Sequence, residues 1–239
     1  MSNICRSIAI LMYFVSLASA QFCNPYWAGL QRLQLAGPSI GYASYDDGSG
    51  PTVYAAKDIP VVYYRWHKGQ WHALPDEGLP AERGFAYNTP YTLDDGSGPA
   101  LYSLIQTSAS ETGAVRWRDH AWSLMPPAFW QYDPRGQGLP MTSADLGDGM
   151  HIYGGLSIGR VVRWNGQSWE QIGLVDGSAR SFSAMIGYDD GREMALYVFG
   201  QFDTVDGVQA HGFARWDGHT WTGPWPEGVG SQFGAPLLT

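Results

Sequence analysis

Three observations predict an all-β fold, a β-propeller of four-stranded blades. The pair Arg-Trp recurs at Arg65-Trp66, Arg116-Trp117, Arg163-Trp164 and Arg215-Trp216, the first tryptophans lying 51, 47 and 52 residues apart. A second tryptophan follows each pair at one fixed distance, at Trp71, Trp122, Trp169 and Trp221. Ahead of each pair an acidic glycine turn leads into an apolar run that ends on tyrosine: "YDDGSGPTVY" (45–54), "LDDGSGPALY" (93–102), "ADLGDGMHIY" (144–153) and "YDDGREMALY" (188–197). Self-similarity at a period of about fifty residues, with several short strands in each unit, is the sequence signature of a propeller. Composition points the same way. With 31 glycines, 14% aromatic and only 15% charged residues, the chain suits short strands and glycine turns, and disorder is excluded.

The first element is residues 1–20. Arg6 is the one basic side chain ahead of the apolar run Ile8–Leu17, and Ala18-Ser19-Ala20 forms an A-x-A cleavage site. This pattern predicts a secretory signal peptide and a secreted mature chain of residues 21–239, extracellular or periplasmic. No later stretch is long and apolar enough for a membrane span. Loss of Arg6 takes the formal charge from −8 to −9, which disfavours nucleic acid and anionic membrane surfaces as partners. Cys5 leaves with the leader and Cys23 is then without a partner, so stability is expected from packing and not from disulfides.

The repeats follow at approximately 38–78, 84–126, 140–174 and 180–224, with a partial closing unit at 230–239. In the fourth, strand A is 181–189, strand B 194–200, strand C 212–216 and strand D 219–223, with loop 201–211 joining B to C. Asp217-Gly218 reads as a two-residue type I′ turn, which needs positive φ at both positions. That turn would set Trp216 opposite His219 and place Trp221 two residues further on, diagonal to Trp216 on the same face. The eight repeated tryptophans are therefore expected to be scaffold, each burying roughly 150–250 Å² between blades. The stretch 228–239 looks like the start of a further strand A, and "NPYWAGL" (24–30) like a strand D. Such leftovers predict an imperfect closing blade or a truncated reading frame, and an unclosed ring would expose faces that promote association.

"DDGSGPALY" (94–102) and "ARWDGHTW" (214–221) together resemble the bacterial secreted kelch-like propeller repeat of planctomycete type. Units two and four match that pattern best, while unit three carries "DLGDGMH" and units one and two carry "HKGQ" and "RDHA" at the second turn. The resemblance spans nearly all of residues 38–239 and implies a kelch-like propeller, a repeat family with no general activity to pass on.

Candidate chemistry is sparse. The acidic pairs Asp46-Asp47, Asp94-Asp95, Asp145/Asp148 and Asp189-Asp190 suit tight turns. Calcium is the other use of such carboxylates, but no full calcium loop is present, and no cofactor is expected. His67, His72, His120, His151, His211 and His219 show no zinc-type spacing, so no metal site is assigned. No nucleophile elbow or phosphate-binding loop appears, and no catalytic residue is named. The most individual stretch is the connector 126–140, where Phe129, Trp130, Tyr132, Asp133 and Arg135 combine aromatic and planar polar groups suited to stacking on a sugar or gripping a peptide. The other reading of those aromatics is a plug between blades two and three. Loop 201–211, with Asp203, Asp206 and His211, is expected to be structural. The function expected is an exported propeller module that binds carbohydrate or a protein surface without catalysis. An extracellular propeller enzyme (hydrolase, lyase or oxidase) and a fragment of a longer surface protein remain the alternatives.

Overall fold

The computed structural model describes residues 39–57, 61–80, 90–108, 111–126, 139–156 and 159–223. The leader over 1–20, the partial unit at 230–239 and the connector aromatics lie outside these. The first sheet runs β1 (Ser39–Asp46), β2 (Pro51–Lys57), β3 (Val62–His67) and β4 (Gln70–Ala73). The second is β5 (Tyr91–Asp94), β6 (Pro99–Ser108), β7 (Glu111–Arg118) and β8 (Ala121–Leu124). The third is β9 (Met141–Asp145), β10 (Met150–Gly155), β11 (Arg160–Trp164) and β12 (Trp169–Asp176). In the fourth, β13 (Ser181–Asp189) and β14 (Met194–Gln201) are followed by a short hairpin, β15 (Thr204–Val205) and β16 (Val208–Gln209), before β17 (Phe213–Trp216) and β18 (Trp221–Thr222). Each sheet is antiparallel with its four main strands in chain order. Consecutive sheets approach each other at their first strands, β1 to β5, β5 to β9 and β9 to β13. These are four consecutive propeller-type blades. No helix among the described residues is long and apolar enough to cross a membrane.

The acidic turns close the first hairpin of each blade. Asp46 Oδ1 accepts hydrogen bonds from the Gly48 and Gly50 N–H groups, both at 2.9 Å. Both glycines sit at positive φ, 93° and 103°, where any side chain would be strained. Asp94 and Asp145 repeat the arrangement. This Asx-type closure accounts for the recurring Asp-x-Gly-x-Gly spacing.

At the second hairpin the structure corrects the sequence reading. Trp216 lies directly opposite Trp221, not diagonal to it. Residues 217–220 form a four-residue loop in which Asp217 Oδ1 accepts from the His219 and Thr220 N–H groups at 2.8 and 2.7 Å. Gly218 has positive φ and Asp217 does not, so the turn is not type I′. Asn165 closes the blade-three loop in the same way. The two-residue I′ turns occur instead in blades one and two, at Lys68-Gly69 and Asp119-His120, where both residues have positive φ. Either loop brings the tryptophans into direct opposition, with ring centroids 5.1–5.4 Å apart.

Because Tyr54 pairs directly with Arg65 and Trp66 with Trp71, tyrosine and arginine project from one face of a blade and the tryptophans from the other. The three described seams join unlike faces. Tyr54, Ala56 and Tyr63 of blade one pack on Leu101, Val115, Trp117 and Trp122 of blade two. Tyr102 and Leu104 of blade two meet Ile152, Val162, Trp164 and Trp169 of blade three. Tyr153, Val161 and Val175 of blade three meet Leu196, Val198 and Trp221 of blade four.

The hairpin β15–β16 crosses one of these seams. Its first strand pairs with β12, Val205 opposite Val175 and Thr204 opposite Asp176, extending the blade-three sheet to six strands. Asp206 adds a side-chain acceptor for the Leu174 N–H at 2.8 Å. Asp206 and Gly207 both have positive φ, so the Asp-Gly I′ turn of this chain is here.

Candidate functional site

Each blade holds a polar cluster at the end where its two hairpin turns lie. In blade one, Asp47 accepts from the Tyr54 hydroxyl at 3.0 Å and the Ser49 hydroxyl at 2.6 Å, and pairs with Arg65 at 3.2 Å. Burial opposes the charged Asp47 carboxylate, but the hydrogen bonds from Ser49 and Tyr54 and the Arg65 charge outweigh it and hold its pKa below the ordinary carboxylate value. The same burial and the bond to Asp47 raise the Tyr54 pKa. Blade two repeats the motif with Asp95 and Arg116, 2.9 Å apart, beside Tyr102. Recurrence in neighbouring blades marks this cluster as a brace within the fold.

Blade three departs from the pattern. Its turn has Leu146 where blades one and two have Asp47 and Asp95, and the carboxylate that reaches arginine comes from Asp148, 2.6 Å from Arg163. Leu146 instead packs, as Ile172 and Trp216 do, against the core shared by blades three and four. The residue after the second tryptophan is His72, Ser123, Glu170 or Thr222 in the four blades. Glu170 alone among these is an anion, and its carboxylate takes the other side of Arg163 at 3.1 Å. Asn165 Nδ2 donates to Glu170 at 2.6 Å. His151 Nδ1 donates to the Trp164 carbonyl at 3.0 Å, leaving Nε2 3.4 Å from Asp148. Hydrogen bonds from Asn165 and Arg163 hold the Glu170 pKa below its ordinary value. Burial and the Asp148 charge push Tyr153 up to about 12.

The result is a surface patch of five planar polar side chains, two of them open to solvent: Asp148 at 53% and Glu170 at 43%. Packed against the core of the same seam, Trp216 is partly exposed, whereas Trp117 and Trp164 at the same repeat position are only 2% and 6% exposed. Ile172 is the extra residue of a bulge on β12, between Gln171 opposite Val162 and Gly173 opposite Val161, and it packs with Trp216 against the core shared by blades three and four. An aromatic surface flanked by fixed donors and acceptors is the chemistry by which proteins hold polyhydroxylated ligands.

Of the site residues read from sequence, Phe129, Trp130, Tyr132, Asp133 and Arg135 lie outside the described residues. Among the eight repeated tryptophans, Trp117, Trp122, Trp164, Trp169 and Trp221 are buried, while Trp66, Trp71 and Trp216 are partly exposed. The first-turn carboxylates are turned toward backbone N–H groups and arginines. Motif reading missed Glu170, Asn165 and His151. For Glu170 and His151 the signal was present in the register of the repeats, where blade three carries charge or imidazole at positions that are small or hydroxylated in most other blades. Asn165 shares its repeat position with His67, Arg118 and Asp217, a position that is polar in every blade and gave no signal.

No family model matches the chain, and no curated protein does. Among solved structures it is similar to the fungal lectin of Aleuria aurantia, a six-bladed β-propeller with a novel fucose recognition mode, at 15% identity, TM-score 0.47 and 83% of this chain covered. This chain is similar to propeller lectins. The SapL1 lectin in complex with α-methyl fucoside matches 79% of the chain at 14% identity and TM-score 0.43, covering 62% of that lectin. AofleA from Arthrobotrys oligospora matches 76% at 18% identity and TM-score 0.41, covering 53% of that protein. The chain spans 64% of the length of the Aleuria lectin.

Proposed function

We propose that this chain is an exported, non-catalytic, kelch-like propeller module that binds carbohydrate at the seam between blades three and four. The observation that carries this reading is Arg163 clamped between Asp148 and Glu170 on blade three, at the seam whose shared core the partly open Trp216 of blade four packs against. Arg163 is held by carboxylates that keep their outer edges in solvent, so a ligand hydroxyl meets acceptors already fixed in place. Pre-fixed groups lose little entropy on binding. The indole supplies the apolar face against which a sugar ring stacks. A protein surface would be expected to want a broader apolar patch than one indole.

A glycan array probed with the full chain, followed by calorimetry on the best ligand, tests the reading. Glu170→Ser installs the residue that blade two carries at this position, and should abolish binding while leaving the melting temperature nearly unchanged. A wild-type chain that binds no glycan, or a Glu170→Ser chain that binds as well as wild type, would overturn it.

A further inference from the structure

The described seams join a tyrosine–arginine face to a tryptophan face, and the four described blades leave one face of each kind without a neighbouring blade among the described residues. The exposures locate both. Tyr188 of blade four occupies the repeat position of Tyr45, Leu93 and Ala144. Those three are 6%, 6% and 4% exposed because the next blade covers them, whereas Tyr188 is 57% exposed. Tyr197 is partly exposed where Tyr54, Tyr102 and Tyr153 are wholly buried. Ile186, on the same face, is 48% exposed. With Phe213 and Phe199 these rings form a ladder, Tyr188 to Tyr197 at 6.2 Å, Tyr197 to Phe213 at 5.8 Å and Phe213 to Phe199 at 4.9 Å. At the other end, Tyr42 of blade one is 46% exposed where its counterparts Met141 and Met185 are 5% and 8% exposed. Trp71, 6.2 Å from Tyr42, is partly exposed where Trp122, Trp169 and Trp221 are buried.

We propose that these two open faces are halves of one interface, and that the tyrosine–arginine face of blade four docks on the tryptophan face of blade one of a second copy of this chain. The chain itself displays the complementarity, since the same pair of faces is already packed together in three seams. The two faces are not in contact within one copy, because such contact would bury both Tyr188 and Tyr42. The charges on the facing turns are complementary. In the first seam His120, on the second hairpin of blade two, lies 3.9 Å from Asp47 on the first turn of blade one. The matching hairpin of blade one carries exposed Lys68, one position before the Gly69 that aligns with His120, and the matching turn of blade four carries Asp190, so the two turns bear opposite charges. A contact between unlike faces is head-to-tail, so a ring of copies satisfies every face.

Light scattering on the full chain, with one variant on each face, tests this. Wild type is expected to run as an oligomer, and Tyr188→Asp and Tyr42→Asp each as a monomer with an unchanged near-ultraviolet circular dichroism spectrum. An equimolar mixture of the two variants retains one intact face of each kind and should form a species of two chains. Ile186→Asp on the blade-four face repeats the test should Tyr188→Asp perturb the fold. A wild-type monomer at all concentrations overturns the proposal, whatever covers the faces instead. So does an oligomer indifferent to the face variants, or a mixture that stays monomeric.

Discussion

Trp221→Ala and Trp71→Ala remove the same residue from the same repeat position in two different settings. Trp221 is 7% exposed, donates its indole N–H to the Ile172 carbonyl of the preceding blade at 2.7 Å, and lies against Gly173. About 200 Å² of indole surface at ~25 cal/mol per Å² is roughly 5 kcal/mol of gross burial. Allowing for partial collapse of the cavity, Trp221→Ala should cost about 3–5 kcal/mol, with the orphaned Ile172 carbonyl inside that range. For a chain of this size that is a fall in melting temperature of roughly 6–20 °C. Trp71 has no preceding blade over it among the described residues, and its removal should cost about 2 kcal/mol or less on the same area basis. Urea unfolding followed by tryptophan fluorescence measures both, at protein concentrations low enough that copies do not associate. Equal losses for the two variants under those conditions would refute the idea that the preceding blade is what makes the tryptophan costly to remove.

Three further outcomes rest on the seams and braces. Asp47, whose side chain is 2% exposed, anchors Tyr54 and Arg65, so Asp47→Asn should cost about 2 kcal/mol at neutral pH by leaving a guanidinium without its counter-ion. Because the native pKa values of Asp47 and Asp95 are lowered, the stability they add is complete above the ordinary carboxylate range and is lost as pH falls through the native values. Denaturation midpoints across an acid series should therefore drop in wild type and drop less in Asp47→Asn. Gly173→Ala would put a methyl group 2.8 Å from the Trp221 indole, and a loss of about 1–3 kcal/mol is expected in the same urea assay.

Much of this architecture was legible because propellers write their period into the sequence. The predicted fourth-blade strands A (181–189) and B (194–200) correspond closely to β13 (Ser181–Asp189) and β14 (Met194–Gln201). Apolar alternation bounded by glycine is a local property, and these strands needed nothing else. Turn type was less legible. Asp217-Gly218 and Asp206-Gly207 are the same dipeptide, yet only the second makes the I′ turn, because the Asp217 carboxylate captures the His219 and Thr220 N–H groups and builds a wider loop. "TVDGVQ" (204–209) carries a full hairpin signal, an Asp-Gly flanked by valines, but it lies inside the loop between strands B and C, and the strand it pairs with, β12, belongs to another blade. The polar patch around Arg163 was hidden for a related reason. No motif contains Asp148, Glu170 and Asn165, and they meet only when three strands are set in register.

The small hairpin β15–β16 also sets how this protein comes apart. In the first two seams the contacts between described blades are mainly side-chain packing, which slides or peels at modest cost. Across the third, backbone ladder bonds at Val175 and Asp176 stitch one blade to an insertion of the next. Blades three and four thus form one cooperative unit, whose amides on β12 and β15 should exchange with deuterium together and later than those bridging the other seams. A ligand cleft placed on that stitched pair would keep its shape while the rest of the arc breathes.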